Sequence, residues 1–112
     1  EFFKRARLKC TIEFHVGDAL AIAAGISKQC DVLLNDIHKQ DYPKTIPIAA
    51  KLVRREGLFL TDNLIWSGRV MNPHQDLTTK AIVDFTRRLY RDKRFFTTIM
   101  PLRDGLAIAT RL

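Results

Sequence analysis

Apolar and polar residues fall in short blocks that predict strands alternating with helices. Residues 11–16 alternate as in a strand with one buried face, and residues 31–35 and 58–61 form apolar runs typical of buried strands. Residues 95–100 and 105–110 predict two further strands, separated by a turn with Pro and Gly that favours an antiparallel hairpin. The alternation indicates an α/β fold with a mostly parallel sheet.

Short helical and loop patterns lie between these strands. Residues 1–8 are predicted to be the end of a basic helix. Asp18 is predicted to cap a short helix that runs to Ala24 and stops at Gly25. Residues 66–75 contain Gly, Asn and Pro and predict a loop.

Two longer helices are predicted further along the chain. The first begins near Pro43 and is expected to end after Arg54 and Arg55, because Gly57 follows them. The second covers residues 76–91. The apolar residues expected to face the core are Ile46, Ala49, Ala50 and Val53 in the first helix and Leu77, Ile82, Phe85 and Leu89 in the second.

The composition is that of one folded domain. The chain has 112 residues, 46% of them hydrophobic, and no apolar run reaches the roughly 20 residues that a membrane-spanning helix needs. Cys10 and Cys30 lack metal-binding spacing, which favours two reduced thiols in a cytoplasmic protein that does not enter a membrane. The chain begins with Glu1 rather than Met, so we expect a fragment or a processed chain.

A net charge of +7 permits binding to nucleic acid or to acidic ligands. The basic residues are dispersed, and the simpler interpretation is solvated helix faces and helix ends. The densest group consists of Arg87, Arg88, Arg91, Lys93 and Arg94.

Acidic residues directly follow two neighbouring apolar strands. Asp36 comes after residues 31–35, and Asp62 and Asn63 come after residues 58–61. A single helix joins these strands, which predicts parallel neighbours whose carboxyl ends share one edge of the sheet, about 4.8 Å apart. Two carboxylates and an amide oxygen suit Mg²⁺, Mn²⁺ or Ca²⁺ and leave coordination positions open for a substrate. The alternative is that both aspartates only cap the helices that follow them.

Four segments, in the same order, resemble a known enzyme family. Asp62-Asn63-Leu64-Ile65-Trp66-Ser67-Gly68-Arg69-Val70 is similar to the Asp-Asn-x-x-Trp-Ser/Asn-Gly segment of the caffeoyl-CoA and catechol O-methyltransferase-like family. Asp36-Ile37-His38-Lys39 followed by Tyr42 resembles its Asp-Ala-Asp-Lys…Tyr segment. Gly17-Asp18-Ala19-Leu20 and Pro101-Leu102-Arg103-Asp104-Gly105-Leu106 resemble its segment after the third strand and its closing turn.

The resemblance implies a Rossmann-like fold and roles for individual residues. Asp36, Asp62 and Asn63 would bind a divalent cation, Mg²⁺ first, with Mn²⁺ or Ca²⁺ as alternatives. Lys39 would be the general base and would contact the substrate hydroxyl, and Trp66 would border the acceptor pocket. Asp18, Ala19 and Asp36 would bind S-adenosylmethionine. We expect burial and nearby positive charge to lower the pKa of Lys39.

The sequence also departs from the family pattern. His38 stands in place of the second Asp, Ile37 in place of Ala, and Arg103 in place of Gly. No Gly-rich turn for the cofactor occurs in the chain. Residues 1–112 are therefore expected to be the C-terminal portion of one methyltransferase domain, without the first two strands of a seven-stranded sheet ordered 3-2-1-4-5-7-6. This loss would leave the 11–16 strand without a neighbour and one sheet edge open, and the isolated chain inactive.

The leading interpretation is a fragment of an S-adenosylmethionine-dependent O-methyltransferase acting on a small catechol-like or hydroxylated aromatic acceptor. One alternative keeps the family but makes the acceptor a hydroxylated nucleotide in tRNA. Another is a non-catalytic interaction module that retains the fold. The family resemblance also suggests a homodimer as the full-length protein.

Overall fold

The computed structural model describes residues 2–6, 12–72, 74 and 76–112. The helices and strands are α1 (Phe2–Arg5), α2 (Ala19–Gly25), β1 (Cys30–Asn35), α3 (Tyr42–Leu52), β2 (Val53–Thr61), α4 (Leu77–Arg91), β3 (Phe95–Met100) and β4 (Leu106–Arg111). Short 3₁₀ turns at Lys39–Asp41 and Trp66–Met71 follow β1 and β2. Most of the residues predicted as a loop at 66–75 therefore form a turn.

The four described strands form one mixed sheet in the order β1-β2-β4-β3. β1 and β2 are parallel, whereas β4 pairs antiparallel with both β2 and β3. The α/β class and the C-terminal hairpin are confirmed, and parallel pairing in the described chain is limited to β1 and β2. The order is that of the last four strands of the expected seven-stranded sheet.

The predicted strand at 11–16 is wrong for residues 12–16, which have no regular secondary structure. Thr11 lies outside the described residues. An alternating segment forms a strand only when a neighbour accepts its backbone hydrogen bonds. In the described sheet, no strand lies beyond β1, so this segment has no such neighbour.

The helix after Pro43 ends earlier than predicted. α3 stops at Leu52, since Val53 adopts an extended conformation, is buried and pairs with Cys30. Arg54 and Arg55 therefore lie in β2 and not at a helix terminus.

Gly57 does not end a helix but allows two strands to approach closely. The register between β1 and β2 shifts after the pairing of Cys30 with Val53. A Cβ atom on Gly57 would lie 2.8 Å from the carbonyl oxygen of Asp31 on the neighbouring strand. A side chain at this position would force the strands apart.

The core lies between the sheet and the pair α3 and α4. Asp18 caps α2 as predicted and accepts the backbone N–H of Ala21 at 2.7 Å. Asp76 caps α4 in the same way and accepts the backbone N–H of Thr79 at 2.7 Å. Leu77 is exposed and not buried as predicted, because the first turn of α4 directs Thr79 inward instead. The largest fully buried side chains include Tyr42, Phe59, Ile82, Phe85 and Leu89.

Candidate active site

The carboxyl ends of β1 and β2 lie side by side. Asn35, the last residue of β1, pairs with Thr61, the last residue of β2. The backbone N–H of Asp62 donates to the carbonyl oxygen of Asn35 at 3.4 Å. Asp36 and Asp62 therefore begin two adjacent loops at one edge of the sheet, as the sequence predicts.

A buried network of hydrogen bonds lies at the ends of β1 and β2, next to this edge of the sheet. The Asn35 Nδ2 atom lies 3.4 Å from the hydroxyl oxygens of both Thr45 on α3 and Thr61 on β2. Thr45 in turn donates to the carbonyl oxygen of Tyr42 at 2.6 Å. The network ties three elements together directly beneath the two aspartates. This network was not predicted from the sequence, although a polar residue at the end of an apolar strand is a signal for it.

Asp36 and Lys39 form an ion pair within the first loop. Lys39 Nζ lies 2.6 Å from Asp36 Oδ1, and the Lys39 side chain is 14% exposed against 61% for Asp36. Burial lowers the pKa of Lys39, but the bonds to Asp36 and Tyr42 outweigh it, so its pKa lies above the ordinary value. The carboxylate and the phenol stabilise the ammonium form, so burial alone does not lower the pKa of Lys39 below its ordinary value.

Tyr42 connects the two loops. Its side chain is fully buried, and its hydroxyl donates to the carbonyl oxygen of Asp62 at 2.8 Å. Lys39 Nζ lies 4.9 Å from the centre of its ring. Burial raises the pKa of the Tyr42 hydroxyl, and Lys39 opposes this only in part. A neutral Tyr42 therefore holds the backbone at Asp62.

The second loop has an unusual backbone. Asn63, Trp66 and Ser67 have φ values of 63°, 50° and 52°, in the left-handed region that non-glycine residues seldom adopt. The backbone N–H of Asn63 donates to Asp62 Oδ1 at 2.7 Å. The Asp62 and Asn63 side chains are half-buried at the start of this turn.

Asp104, in the turn between β3 and β4, contacts this loop. Its Oδ1 accepts the backbone N–H of Ser67 at 2.6 Å, and its Oδ2 lies 3.4 Å from the side-chain nitrogen of Asn63. No local sequence pattern assigns a role to Asp104, because it lies 41 positions after Asn63 in the chain. Its only signal was its place in the closing Asp-Gly turn.

Trp66 packs against the edge of the core and is half-buried. Its Nε1 atom is buried without a hydrogen-bond partner among the described residues. Arg69 lies over the indole ring at 5.9 Å. The Trp66 ring therefore packs against the core, and its expected place beside the acceptor pocket stays a prediction.

Ala19 and Asp18 lie on the other side of β1. Ala19, Asn35 and Ile37 help to line an apolar cavity of about 130 Å³ between α2, β1 and α3. Asp18 is engaged as the cap of α2. The structure thus brings Ala19 close to the loop that begins at Asp36, while Asp18 already has a structural role.

The predicted cation ligands are two carboxylates and one amide, rather than a cluster of three or more His, Cys, Asp or Glu side chains. In the described ranges, no group of three or more His, Cys, Asp or Glu side chains is arranged to hold a metal ion. Asp36, Asp62 and Asn63 offer two carboxylates and one amide. His38 is exposed.

Three further predictions concern the basic residues, the cysteines and membrane-spanning helices. Arg88 pairs with Asp84 and Arg94 with Asp92, so two of the five residues in the basic group are neutralised. Cys30 is a free thiol, whereas Cys10 lies outside the described residues. Among the described helices, none is long and apolar enough to cross a membrane.

Known proteins of one family are similar to this chain. The model of the O-methyltransferase family matches residues 1–112. The chain is 25% identical to catechol O-methyltransferase domain-containing protein 1 of Mus musculus, covering 98% of this chain and 44% of that protein. It is 28% identical to probable caffeoyl-CoA O-methyltransferase 1 of Dictyostelium discoideum, covering 81% and 40%. The chain thus spans less than half the length of these two relatives.

Solved structures agree. The O-methyltransferase TomG of Streptomyces achromogenes, solved in complex with S-adenosylmethionine, superposes with a TM-score of 0.87 at 25% identity, covering 97% of this chain and 53% of that one. A putative O-methyltransferase from Klebsiella pneumoniae shares the fold with a TM-score of 0.88 at 21% identity over 97% of this chain and 53% of that one. The family match over all 112 residues shows that the chain belongs to the O-methyltransferase family.

Proposed function

We propose that this chain is the portion of an S-adenosylmethionine-dependent O-methyltransferase that holds a divalent cation and the hydroxyl acceptor. The observation that supports this most is the pairing of Asn35 with Thr61, which sets Asp36 beside Asp62 and Asn63 at one sheet edge. Methyl transfer is an in-line displacement that needs an acceptor oxygen held close to the methyl carbon. The proposed acceptor is a small catechol-like or hydroxylated aromatic molecule.

The ligand atoms fit a hard cation. Asp36 uses one carboxylate oxygen for Lys39, and Asp62 uses one for the backbone of Asn63. In the described part of the chain, the second oxygen of each carboxylate and the side-chain oxygen of Asn63 have no hydrogen-bond partner. Three oxygen ligands suit Mg²⁺, with Mn²⁺ or Ca²⁺ as alternatives. When bound there, such a cation lowers the pKa of acceptor hydroxyls and orients them.

Lys39 is the candidate general base. It is largely buried and adjacent to Asp36, so it is well placed to contact an acceptor hydroxyl. Its raised pKa means that it is an ammonium in this arrangement, so it accepts a proton only after losing its own. In its charged form, Lys39 instead holds Asp36 in position.

The cofactor would lie along β1. Ala19 borders the apolar cavity, and Asn35 and Ile37, the neighbours of Asp36 along the chain, also line it. TomG, solved with S-adenosylmethionine, supports this cofactor for the family. Since the chain spans about half of TomG, we propose that residues 1–112 form one portion of a domain, inactive when isolated. Methyl transfer by the purified 112-residue chain would contradict this.

Calorimetric titration of Mn²⁺ tests the cation site. We expect binding to the parent chain and at least tenfold weaker binding to the Asp62→Ala variant, because one of three ligands is lost. Asp84→Ala is a matched control, since Asp84 is a partly exposed aspartate on α4 that pairs with Arg88. Equal binding by parent and Asp62→Ala, or none by a folded parent chain, would contradict the proposed site.

The acceptor is tested in the native polypeptide that contains this chain. We expect methyl transfer to a catechol and none to the matching compound without hydroxyl groups. Steep salt dependence of tRNA binding would instead favour the RNA alternative. A native polypeptide that binds neither cofactor nor cation would favour the interaction module. The homodimer and the cytoplasmic location stay predictions.

A further inference from the structure

The turn between β3 and β4 is bonded to the loop after β2 by backbone as well as side chain. The backbone N–H of Leu64 donates to the carbonyl oxygen of Gly105 at 2.9 Å, and that of Ile65 donates to Asp104 at 2.8 Å. A Cβ atom on Gly105 would lie 2.8 Å from the backbone nitrogen of Ile65. The two segments are therefore in direct contact, with no room for a side chain at Gly105.

Unfavourable backbone conformations concentrate in the same two segments. Five described residues other than glycine have positive φ values, namely Glu56, Asn63, Trp66, Ser67 and Arg103. Four of these five lie in the loop or in the turn that contacts it. Each such residue costs on the order of 1–3 kcal/mol and persists only when its surroundings hold it. Bonds from outside the loop are therefore needed to keep its shape.

Asp104 supplies the side-chain bonds of this kind. Each of its two oxygens makes a different contact. Oδ1 accepts the backbone N–H of Ser67, and Oδ2 faces the side-chain nitrogen of Asn63. The second contact also fixes which way the Asn63 amide points, because a carboxylate accepts only from the nitrogen. The Asn63 oxygen is thereby turned away from Asp104.

We propose that Asp104 is a positioning residue that holds Asn63 and the strained 63–67 loop in the binding arrangement. The effect on cation binding rests on the proposed function, whereas the effect on the loop does not. Asp104 contacts neither Asp36 nor Asp62 among the described residues, so it acts through Asn63 and the backbone of Ser67. A carboxylate bonded to a ligand residue typically changes metal affinity 10- to 100-fold when removed.

The test compares Asp104→Ala with the parent in the native polypeptide, using amide hydrogen exchange, ¹⁵N NMR and Mn²⁺ titration. We expect exchange at Ser67 at least tenfold faster, a shifted side-chain amide signal of Asn63, and Mn²⁺ binding 10- to 100-fold weaker. Asp92→Ala is the matched control, because Asp92 also accepts a backbone N–H in a turn, that of Arg94 at 3.0 Å. It should leave all three readouts unchanged.

Asp104→Asn separates positioning from folding. Asparagine retains one acceptor oxygen, so this variant should keep the slow exchange of Ser67 while the Asn63 signal shifts and Mn²⁺ binding weakens. Unchanged Ser67 exchange and an unchanged Asn63 signal in Asp104→Ala would overturn the proposal. Faster exchange with unchanged Mn²⁺ affinity would overturn the role in cation binding. If the parent binds no Mn²⁺, the proposed cation site fails, and the exchange rate alone decides whether Asp104 holds the loop.

Discussion

The two faces of the sheet are both apolar, but the described helices cover only one. On the covered face, Phe59, Ala107 and Ala109 are fully buried with α3 and α4. On the other face, two rows of side chains cross the four strands: Val32, Leu58, Thr110 and Phe96 in one row, and Leu34, Leu60, Ile108 and Thr98 in the other. Val32, Leu34 and Phe96 are 51%, 64% and 69% exposed.

This difference bears on what kind of sheet the sequence specifies. An antiparallel sheet with one face in water alternates apolar and polar side chains, whereas the strands of α/β sheets are apolar on both faces because helices cover each. β1 follows the second pattern, since Leu33 packs against the core while Val32 and Leu34 face outward. Its composition therefore matches a sheet that is covered on both faces.

The largest expected change in stability comes from replacing one phenylalanine on each side of the sheet with alanine. Phe85 is fully buried, with its ring centre 5.3 Å from Tyr42 and 6.2 Å from Phe59. We expect Phe85→Ala to lower the free energy of unfolding by about 3–5 kcal/mol through lost burial and the cavity left behind. Phe96→Ala should change it by no more than about 0.5 kcal/mol.

Urea unfolding followed by circular dichroism measures both variants. Equal losses would mean that Phe96 is buried in solution and that the two faces do not differ. A small loss for Phe85→Ala would show instead that the covered face is loosely packed.

The covered face was largely predictable from sequence, because helical spacing identified Ile82, Phe85 and Leu89 as core residues. The errors arose where long-range contacts override local patterns. Residues 12–16 have strand alternation but no neighbouring strand. The end of α3 depends on Val53 pairing with Cys30, a contact that no local pattern reveals.

The candidate site also contains residues that the sequence predicts and contacts that it does not. Chain order alone placed Asp36, Asp62 and Asn63 at one sheet edge, because each directly follows a strand. Asp104 could not be found by such reasoning, since its role depends on the β3–β4 turn folding against a loop formed 41 residues earlier. Likewise, the pKa of Lys39 depends on the close contact with Asp36, which sequence spacing allows but does not impose.

Charged pairs give a second test of buried against exposed positions, with a smaller expected effect on stability. The Asp92 side chain is 15% exposed where α4 meets β3, and hydrogen bonds from Arg94 lower its pKa. A lowered folded-state pKa stabilises the fold above the ordinary value of about 3.9, and this contribution is lost as the pH falls below it. We expect Asp92→Asn to cost about 1 kcal/mol at pH 7 and progressively less below about pH 4.

The measurement is urea unfolding at several pH values. Asp31→Asn is the control, since Asp31 and Arg54 form a pair in which both side chains are exposed. A constant difference between Asp92→Asn and the parent down to low pH would contradict the assignment to the ionised carboxylate.

The smallest expected change in stability tests the uncovered face directly. Leu34→Gln should alter the free energy of unfolding by no more than about 0.5 kcal/mol, because the side chain is already mostly in water. It should nevertheless reduce binding of a hydrophobic dye and self-association of the isolated chain, since Leu34 belongs to a continuous apolar surface. Leu77→Gln is the control, because Leu77 is similarly exposed but stands on α4, away from this surface. Equal dye binding by both variants would mean that the rows on the uncovered sheet face do not act as one surface.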